Sequence, residues 1–391
     1  AAKITGHCIA SYSPHGEKAA YDSLVRMVRE RYPLTEGQGN FGSATTSAAS
    51  ARYTESRLHP FGKKLIADLP DLQFSPKEKN YDDSLDQPVY LPCVLPNILL
   101  NAGAGIAVGI TSKIPGFNLE EVANAVQACL DGKSDDIILS KITAPDLAHC
   151  TITSPASETL NLLKTGDGSI EYECAYKLET KGKAKLLVIT GYAPEFSVSG
   201  FLLKCGNLQD QNVVQAVRNE TSEDNGDRIV IQYDTDEDLA KLLKLIKKKV
   251  SYKFNVLVDD GAGLTPKMMG VVDIVKRWVE SRKNLTKETI KQLIVKQAVE
   301  LKRQEAKLKV CSDRKGLFAA LDDPGDFCEA LVKYVGLTAE EALLVSRMQI
   351  DSLKKASVEE LKKSIEKDKK DIEKLQADLE KPEQVIKKQI Q

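Results

Sequence analysis

The chain lacks a sizeable net charge, a cysteine framework, a membrane-length apolar run and a nucleotide-binding loop, and each lack removes a class of function. Lys and Arg number 55 against 56 Asp and Glu, a formal net charge of −1. No global field therefore draws the protein onto nucleic acid, and any such site must come from local clustering of charge. The eight cysteines, at positions 8, 93, 129, 150, 174, 205, 311 and 328, form no C-x-x-C pair and no short-spaced set. Scattered thiols of this kind point to a reducing, cytoplasm-like compartment. His7-Cys8 and His149-Cys150 are two isolated dipeptides rather than four ligands at zinc spacing, so buried thiols are the preferred reading and no metal site is assigned. There is no run of membrane-spanning length, no signal peptide and no Walker-type phosphate loop. The chain opens on Ala1-Ala2-Lys3 without an initiator Met, and is expected to be a trimmed piece of a longer protein.

What is there is 391 residues, enough for two or three compact domains. Positive charge gathers early, in Lys3, Lys18, Arg26, Arg29, Arg31, Arg52, Arg57, Lys63 and Lys64. Residues 1–31 read as two short helices broken at Ser13-Pro14-His15-Gly16. In the second, Ala20, Leu24, Met27 and Val28 recur at helical spacing while Lys18, Asp22, Arg26 and Arg29 fall on other faces. A basic second helix after a turn suits a DNA groove, and any surface helix pair carries the same pattern. Next comes Gln38-Gly39-Asn40-Phe41-Gly42-Ser43, whose two glycines let the backbone turn sharply and approach a ligand. Asn40, Ser43, Thr45, Thr46 and Ser47 offer short polar groups suited to phosphate oxygens. Arg52-Tyr53 follows. A tyrosine hydroxyl is a poor nucleophile at neutral pH until a neighbouring positive charge favours the phenolate.

Residues 44–69 read as a helical region carrying Tyr53, with Leu58, Leu65, Ile66 and Leu69 inward. Pro70 to Pro96 reads as irregular, its prolines blocking helix. The run Ile98 to Ile110 looks at first like a dinucleotide fingerprint, but three residues rather than two separate Gly105 from Gly109. Leu119 to Leu130 is a short amphipathic helix. From about residue 150 to 260 the period becomes that of strands: Ile170, Tyr172, Cys174 and Tyr176 share one face, and Leu186–Ile189 and Ile229–Ile231 are further strands. Leu202 to Val217 and Asp236 to Lys248 look helical, which makes Lys247-Lys248-Lys249 a solvated helix end. Asn225-Gly226 is a hairpin-type turn. From Val271 a heptad-like pattern runs through Trp278, Leu285, Ile290, Leu293, Ile294, Leu301 and Leu308. A partner run, Val358, Leu361, Ile365, Ile372, Leu375 and Leu379, opens on the capping box Ser357-Val358-Glu359-Glu360 and has Asp368 at a core position. Two such helices suggest an antiparallel arm carrying a helical cap from about Gly316 to Ile350. The apolar surface of that cap would come from Leu331, Val332, Tyr334, Val335, Leu343, Leu344 and Met348.

The ordered set Ser11-Tyr12-Ser13-Pro14-His15-Gly16-Glu17, Tyr21-Asp22, Val25-Arg26-Met27, Gly37 to Ser43 and Ala51 to Leu58 resembles the breakage–reunion domain of type IIA DNA topoisomerases. The likeness is greatest to the gyrase A and topoisomerase IV A subunits, over nearly the whole chain. The resemblance implies an α+β multidomain fold. A winged-helix (helix-turn-helix) breakage–reunion domain would occupy 1–145, an α/β tower domain 146–270, and a long antiparallel coiled coil 271–391, with a helical dimerisation cap at about 316–350. It implies that Tyr53 attacks a DNA backbone phosphorus and becomes linked to the 5′ phosphate in a transient double-strand break. Arg52 would stabilise charge on the non-bridging oxygens and help lower the phenol's pKa. His15, Lys18, Arg26, Gln38, Asn40, Ser43 and Arg57 are the expected DNA contacts. Ile106, in Gly105-Ile106-Ala107-Val108-Gly109, matches the family's DNA-kinking wedge, although a core Ile in a tight βα turn fits the same letters. No Asp-x-Asp stands near these motifs, and the resemblance implies that Mg²⁺ arrives on a separate Toprim-bearing subunit that also carries the ATPase. The partners implied are double-stranded DNA, a second copy of the chain in a homodimer and that subunit, with no membrane. The implied setting is the cytoplasm of a bacterial or phage-infected cell.

Relative to the family, the chain starts just before the helix-turn-helix. It has Ser13 where bacterial members usually carry a second histidine, and no DNA-wrapping domain is expected to follow. A viral or topoisomerase IV-like enzyme fits as well as a gyrase. The rival reading is a non-catalytic DNA-binding coiled-coil scaffold, in which Tyr53 is replaceable without consequence.

Overall fold

The computed structural model of the chain describes residues 1–67, 71–147, 149–222, 225–259, 264–347 and 358–390. They form a mixed α/β structure in two units. One comprises Ala1–Leu72 and Pro76–Ser281, and the other is chiefly Arg282–Gln389.

The first unit opens with α1 (Ala2–Ser11) and α2 (Glu17–Arg29), parted at Pro14 and Gly16. Tyr21 and Leu24 turn one face of α2 onto Phe41 and Ala51, with Val25, Val28 and Ala48 around them. Strand β1 (Thr35–Gln38) then pairs antiparallel with β2 (Glu55–Leu58), Glu36 opposite Arg57. The helix expected over 44–69 is therefore found only at its end, in the helical turns Pro60–Gly62 and Lys63–Ala67, and gives way before that to a single 3-10 turn, Ala51–Tyr53, and a strand. Two residues enforce the change. Thr54 is buried with its hydroxyl 2.9 Å from that of Tyr21, which holds it extended at φ −116° and ψ 151°. Pro60 keeps His59 extended at φ −71° and ψ 146°. Leu58 faces solvent rather than the core, Leu65 is buried as expected, and Leu69 lies outside the described residues. The following stretch is irregular apart from one helical turn at Asp71–Phe74 and a small hairpin of β3 (Lys77–Lys79) and β4 (Asp86–Pro88).

Strands β5 (Gly103–Ala107) and β6 (Ile110–Ile114) form a hairpin. Helix α3 (Leu119–Leu130) has the predicted bounds because Asn118 caps it, its Oδ1 accepting from the Glu120 and Glu121 amides. After β7 (Cys150–Ile152) and α4 (Ala156–Thr165), β8 (Asp167–Cys174) leads into a four-stranded antiparallel sheet. This sheet contains β9 (Tyr176–Lys181), β10 (Ala184–Ile189), β11 (Ala216–Asn219) and β12 (Ile229–Tyr233), in the order β11-β12-β10-β9. Helix α5 (Val198–Asp210) is shorter than the 202–217 expected, since β11 takes residues 216–219 to pair with β12. Helix α6 (Asp236–Leu245) likewise stops early.

The lysine run is not a helix end but the start of β13 (Lys247–Lys253), where Lys247 and Lys249 stand opposite Glu173 and Glu171. Val250 and Tyr252, alternating in the same strand, bury the other face, and that burial outweighs the local helical pattern. β13 lies between β6 and β8 and completes a five-stranded sheet ordered β5-β6-β13-β8-β7.

The long helix α7 (Val271–Ser312) ends in the second unit. There α8 (Arg314–Asp322), α9 (Phe327–Val335) and α10 (Ala339–Ser346) pack on its end around Val310, Ala320, Leu331, Leu337 and Val345. Leu331 belongs to that core, whereas Val332, Tyr334 and Leu343 are exposed, and Met348 lies outside the described residues. Helix α11 (Val358–Glu380) returns along α7, burying Leu361 and Ile365, with Lys369 2.9 Å from Glu305. Beyond it, in α12 (Pro382–Ile390), Glu383 meets Lys283. Rising numbers in one run meet falling numbers in the other, so the two run antiparallel. The capping box at Ser357 lies outside the described residues. Asp368 lines a cleft of about 820 Å³ with Leu293, Gln297, Gln304 and Leu375, and its Oδ2 is buried with no hydrogen bond among the described residues. Asp368→Leu should therefore raise the melting temperature by a few degrees, reflecting about 1–3 kcal/mol recovered from an unsatisfied group. An unchanged or lower transition in a thermal melt would mean that the carboxylate has a partner in solution.

Candidate active site

The loop between β1 and β2 is organised by its own hydrogen bonds. Asn40 Oδ1 accepts from the Gly42 amide at 2.8 Å, and Ser43 Oγ accepts from the Thr45 and Thr46 amides, both at 3.1 Å. The Ser43 amide donates to the Thr46 carbonyl, and the Ala49 amide to that of Asn40. Gly39 and Gly42 have φ of 101° and 79°, a region that glycine enters without strain. A β-carbon at Gly42 would meet the Thr46 carbonyl and the Ala48 amide. Phe41 is the loop's apolar anchor, folding back over Gly37 onto Tyr21. The polar groups that suggested phosphate contacts are thus partly engaged in shaping the loop.

This frame delivers Arg52 and Tyr53. The Tyr53 side chain is 68% exposed, although its neighbours Ala51 and Thr54 are both buried. The Arg52 guanidinium carbon lies 4.6 Å from the Tyr53 ring centroid, a cation–π arrangement. Arg52 makes no hydrogen bond or ion pair among the described residues, so its N–H donors are open to an anion beside the phenol. Below, the Tyr21 hydroxyl donates to the Ala49 carbonyl at 2.7 Å and bonds Thr54 Oγ1, holding both ends of the 49–54 segment to α2.

The other candidate residues divide into open and engaged. His15 and Gln38 are exposed, and neither side chain has a partner among the described residues. Lys18 pairs with Asp22 at 2.9 Å on the outer face of α2. Arg57 holds Glu36 in a two-point fork at 2.7 and 3.2 Å, and that bond draws the Glu36 carboxyl below its ordinary pKa. Arg26 is also engaged. Its Nη2 donates to the Ala102 carbonyl and its Nε faces Glu30 at 3.3 Å. Burial of Glu30 raises its pKa against the pull of Arg26.

Ile106 is not a core residue. It is 90% exposed on the β5–β6 hairpin, and Val108 at the tip is fully exposed, at 104%. Gly109, at φ 76°, makes the two-residue turn between Ala107 and Ile110. Val108-Gly109 is not one of the strong hairpin dipeptides, so the sequence does not announce this turn or the exposure of Val108. The hairpin's root is also tied to the end of α2. Besides the Arg26 bond to Ala102, the Asn101 side chain bonds the Tyr32 backbone twice, at 3.0 and 3.2 Å. The Leu119 amide donates to the Tyr32 hydroxyl at 2.8 Å. Sequence reading missed these ties because they join residues far apart in the chain.

Among the described residues no helix is long and apolar enough to cross a membrane. The family model that describes the A subunit of DNA gyrase/topoisomerase IV matches residues 1–391. The chain is 29% identical over 382 residues to the DNA gyrase A protein of Aminobacterium colombiense, covering 92% of this chain and 44% of that protein. It is also 29% identical over 398 residues to the DNA topoisomerase 4 A protein of Neisseria gonorrhoeae, covering 92% and 51%. The DNA gyrase A protein of Leptospira biflexa is 32% identical over 303 residues, covering 73% and 35%. The chain thus spans about half the length, or less, of the curated relatives it matches. On a family match along its whole length, the chain belongs to the family of DNA gyrase and topoisomerase IV A subunits.

Proposed function

We propose that this chain is the DNA-cleaving and religating part of a type IIA topoisomerase. It would act on double-stranded DNA as a homodimer, in a bacterial or phage-infected cytoplasm, with a partner subunit bearing the Toprim and ATPase domains. The observation that carries the reading is Tyr53, an exposed phenol with Arg52 on its ring, held out by a loop whose backbone is internally fixed. Tyr53 Oη attacks a backbone phosphorus, the bond to the 3′ oxygen breaks, and the phenol is joined to the 5′ phosphate. The phosphotyrosyl bond keeps much of the phosphodiester's energy, so the reverse step reseals the strand with no added energy source. Arg52 donates to the non-bridging oxygens as charge builds there. His15, Lys18, Gln38, Asn40, Ser43 and Arg57 position the duplex along α2 and the loop, in the manner of a winged helix. Ile106 enters a base step as the wedge.

The remaining elements take the roles that the family suggests. Residues 146–270 are the tower, α7 and α11 the coiled coil, and α8–α10 the dimerisation cap, with exposed Phe318, Tyr334 and Leu343 available for the contact. For Mg²⁺ the donor set of this chain is inadequate on its own. Among the described residues no three His, Cys, Asp or Glu side chains converge, and Glu36 is tied to Arg57. The metal's carboxylates are therefore assigned to the partner's Toprim domain, ATP use to its ATPase domain, and no step here runs through the ion.

Removing only the nucleophilic oxygen tests the chemistry. With the partner subunit, Mg²⁺ and a suicide DNA substrate, Tyr53→Phe should form no covalent adduct while binding DNA nearly as tightly as the unsubstituted protein. Continued cleavage by Tyr53→Phe would refute the assignment. Arg52→Ala should slow cleavage, and by more than Lys64→Ala does.

The hairpin gives a second test. Ile106→Ala should reduce DNA bending, read by fluorescence transfer between labelled ends, yet shift the melting temperature by no more than about a degree, as expected of an exposed side chain. Arg26→Ala should also reduce bending, by loosening the hairpin's root. If bending survives both changes, the wedge lies elsewhere. If Ile106→Ala instead collapses the fold, Ile106 belongs to the core.

A further inference from the structure

Two cysteines far apart in sequence face each other across a strand pair. Cys150 on β7 and Cys174 on β8 are direct partners in the antiparallel register. The ladder bonds flank them: the Ala175 amide donates to the His149 carbonyl at 3.3 Å, and the Thr153 amide to that of Glu171 at 2.9 Å. Because hydrogen-bonded and non-hydrogen-bonded pairs alternate, Cys150 and Cys174 occupy a non-hydrogen-bonded position. There the α-carbons approach to about 4.5 Å and both side chains leave the sheet on one face. That spacing lies at the near end of the range a disulfide spans, roughly 4.4–6.8 Å. Both thiols are free in this structure, Cys174 buried and Cys150 half-buried on the edge strand.

We propose that Cys150 and Cys174 form a redox-sensitive cross-strand pair that closes to a disulfide when a small-molecule disulfide is supplied. Cys150, the more accessible, attacks one sulfur of the oxidant as its thiolate and releases one small thiol. Cys174 then loses its proton and attacks the Cys150 sulfur, expelling the second small thiol. Two protein thiols become one disulfide, and the oxidant is reduced to two thiols. Burial pushes the Cys150 thiol up to about 11, aided by its neighbour Cys174, and burial raises Cys174 as well. Both are therefore protonated at neutral pH, and the pair rests reduced until an oxidant is present. The bond would form where the chain leaves one sheet for the other, since β8 ends at Cys174 and β9 begins at Tyr176. It would fasten the short edge strand β7 at that crossing. This inference does not depend on the DNA chemistry.

The test uses the full chain, hydroxyethyl disulfide as oxidant, differential alkylation and peptide mapping by mass spectrometry. A peptide linking Cys150 to Cys174 should dominate, and should vanish in Cys150→Ser. Oxidation should raise the melting temperature of the unsubstituted chain by roughly 3–8 °C, and that of Cys150→Ser by much less. The proposal is overturned if Cys150 remains alkylatable, if it persists as a mixed disulfide with the oxidant, or if either cysteine pairs elsewhere. Cys150 is half-buried, so its serine variant should fold, and melting of the reduced variant checks that it does.

Discussion

One buried phenol holds the candidate site together. The Tyr21 hydroxyl bonds the Ala49 carbonyl and the Thr54 side chain, while its ring packs on Phe41. Through those contacts α2 fixes both ends of the segment that carries Arg52 and Tyr53. Other contacts also hold the turn, the N-terminal amine donating to the Thr54 carbonyl and β2 pairing with β1 from Glu55, but these leave the Ala49 end without a tie to α2. The site is therefore rigid where it meets the core and open where it meets solvent, which suits a nucleophile that must approach a large substrate.

Charge is arranged in the same spirit. The early cluster of basic residues suggests a broad positive field, yet much of it is cancelled locally: Lys18 by Asp22, Arg26 by Glu30, Arg31 by Asp146 and Arg57 by Glu36. Arg52 is left with open donors, directly beside the phenol. Lys3, Arg29, Lys63 and Lys64 of the same cluster also show no ion pair among the described residues, so a near-neutral chain keeps a local positive field around the loop. Arg26 has a structural task that its position in the sequence does not announce. It lies on the polar face of a basic helix, but its guanidinium braces the root of the hairpin that bears Ile106.

How much of this was legible depended on the range of the forces involved. The two helices at the start and α3 were readable because proline, glycine and an asparagine cap act locally. The alternation in β8 was readable because one face of that strand is buried. The strand around Ser56 was not, since nothing in residues 44–69 announces that Thr54 will be pinned by Tyr21 or that Glu55–Leu58 will find Thr35–Gln38. The lysines of β13 were misread for a related reason. Their helix-like context is local, but their pairing with Glu171 and Glu173 is not. The motif letters pointed to Tyr53 and Ile106. The geometry adds that both side chains stand clear of the core, Ile106 at the end of a hairpin and Tyr53 beside a cation.

The central assignment is that the Tyr53 oxygen is the atom that takes DNA. The most direct measurement is to trap the covalent complex on DNA with Mg²⁺ and the partner subunit, digest protein and nucleic acid, and sequence the modified peptide by mass spectrometry. A nucleotide joined through its 5′ phosphate to Tyr53, in the peptide following Arg52, is the expected result. The same mass on Tyr12, Tyr81 or any other residue, or linkage through a 3′ phosphate, would contradict it.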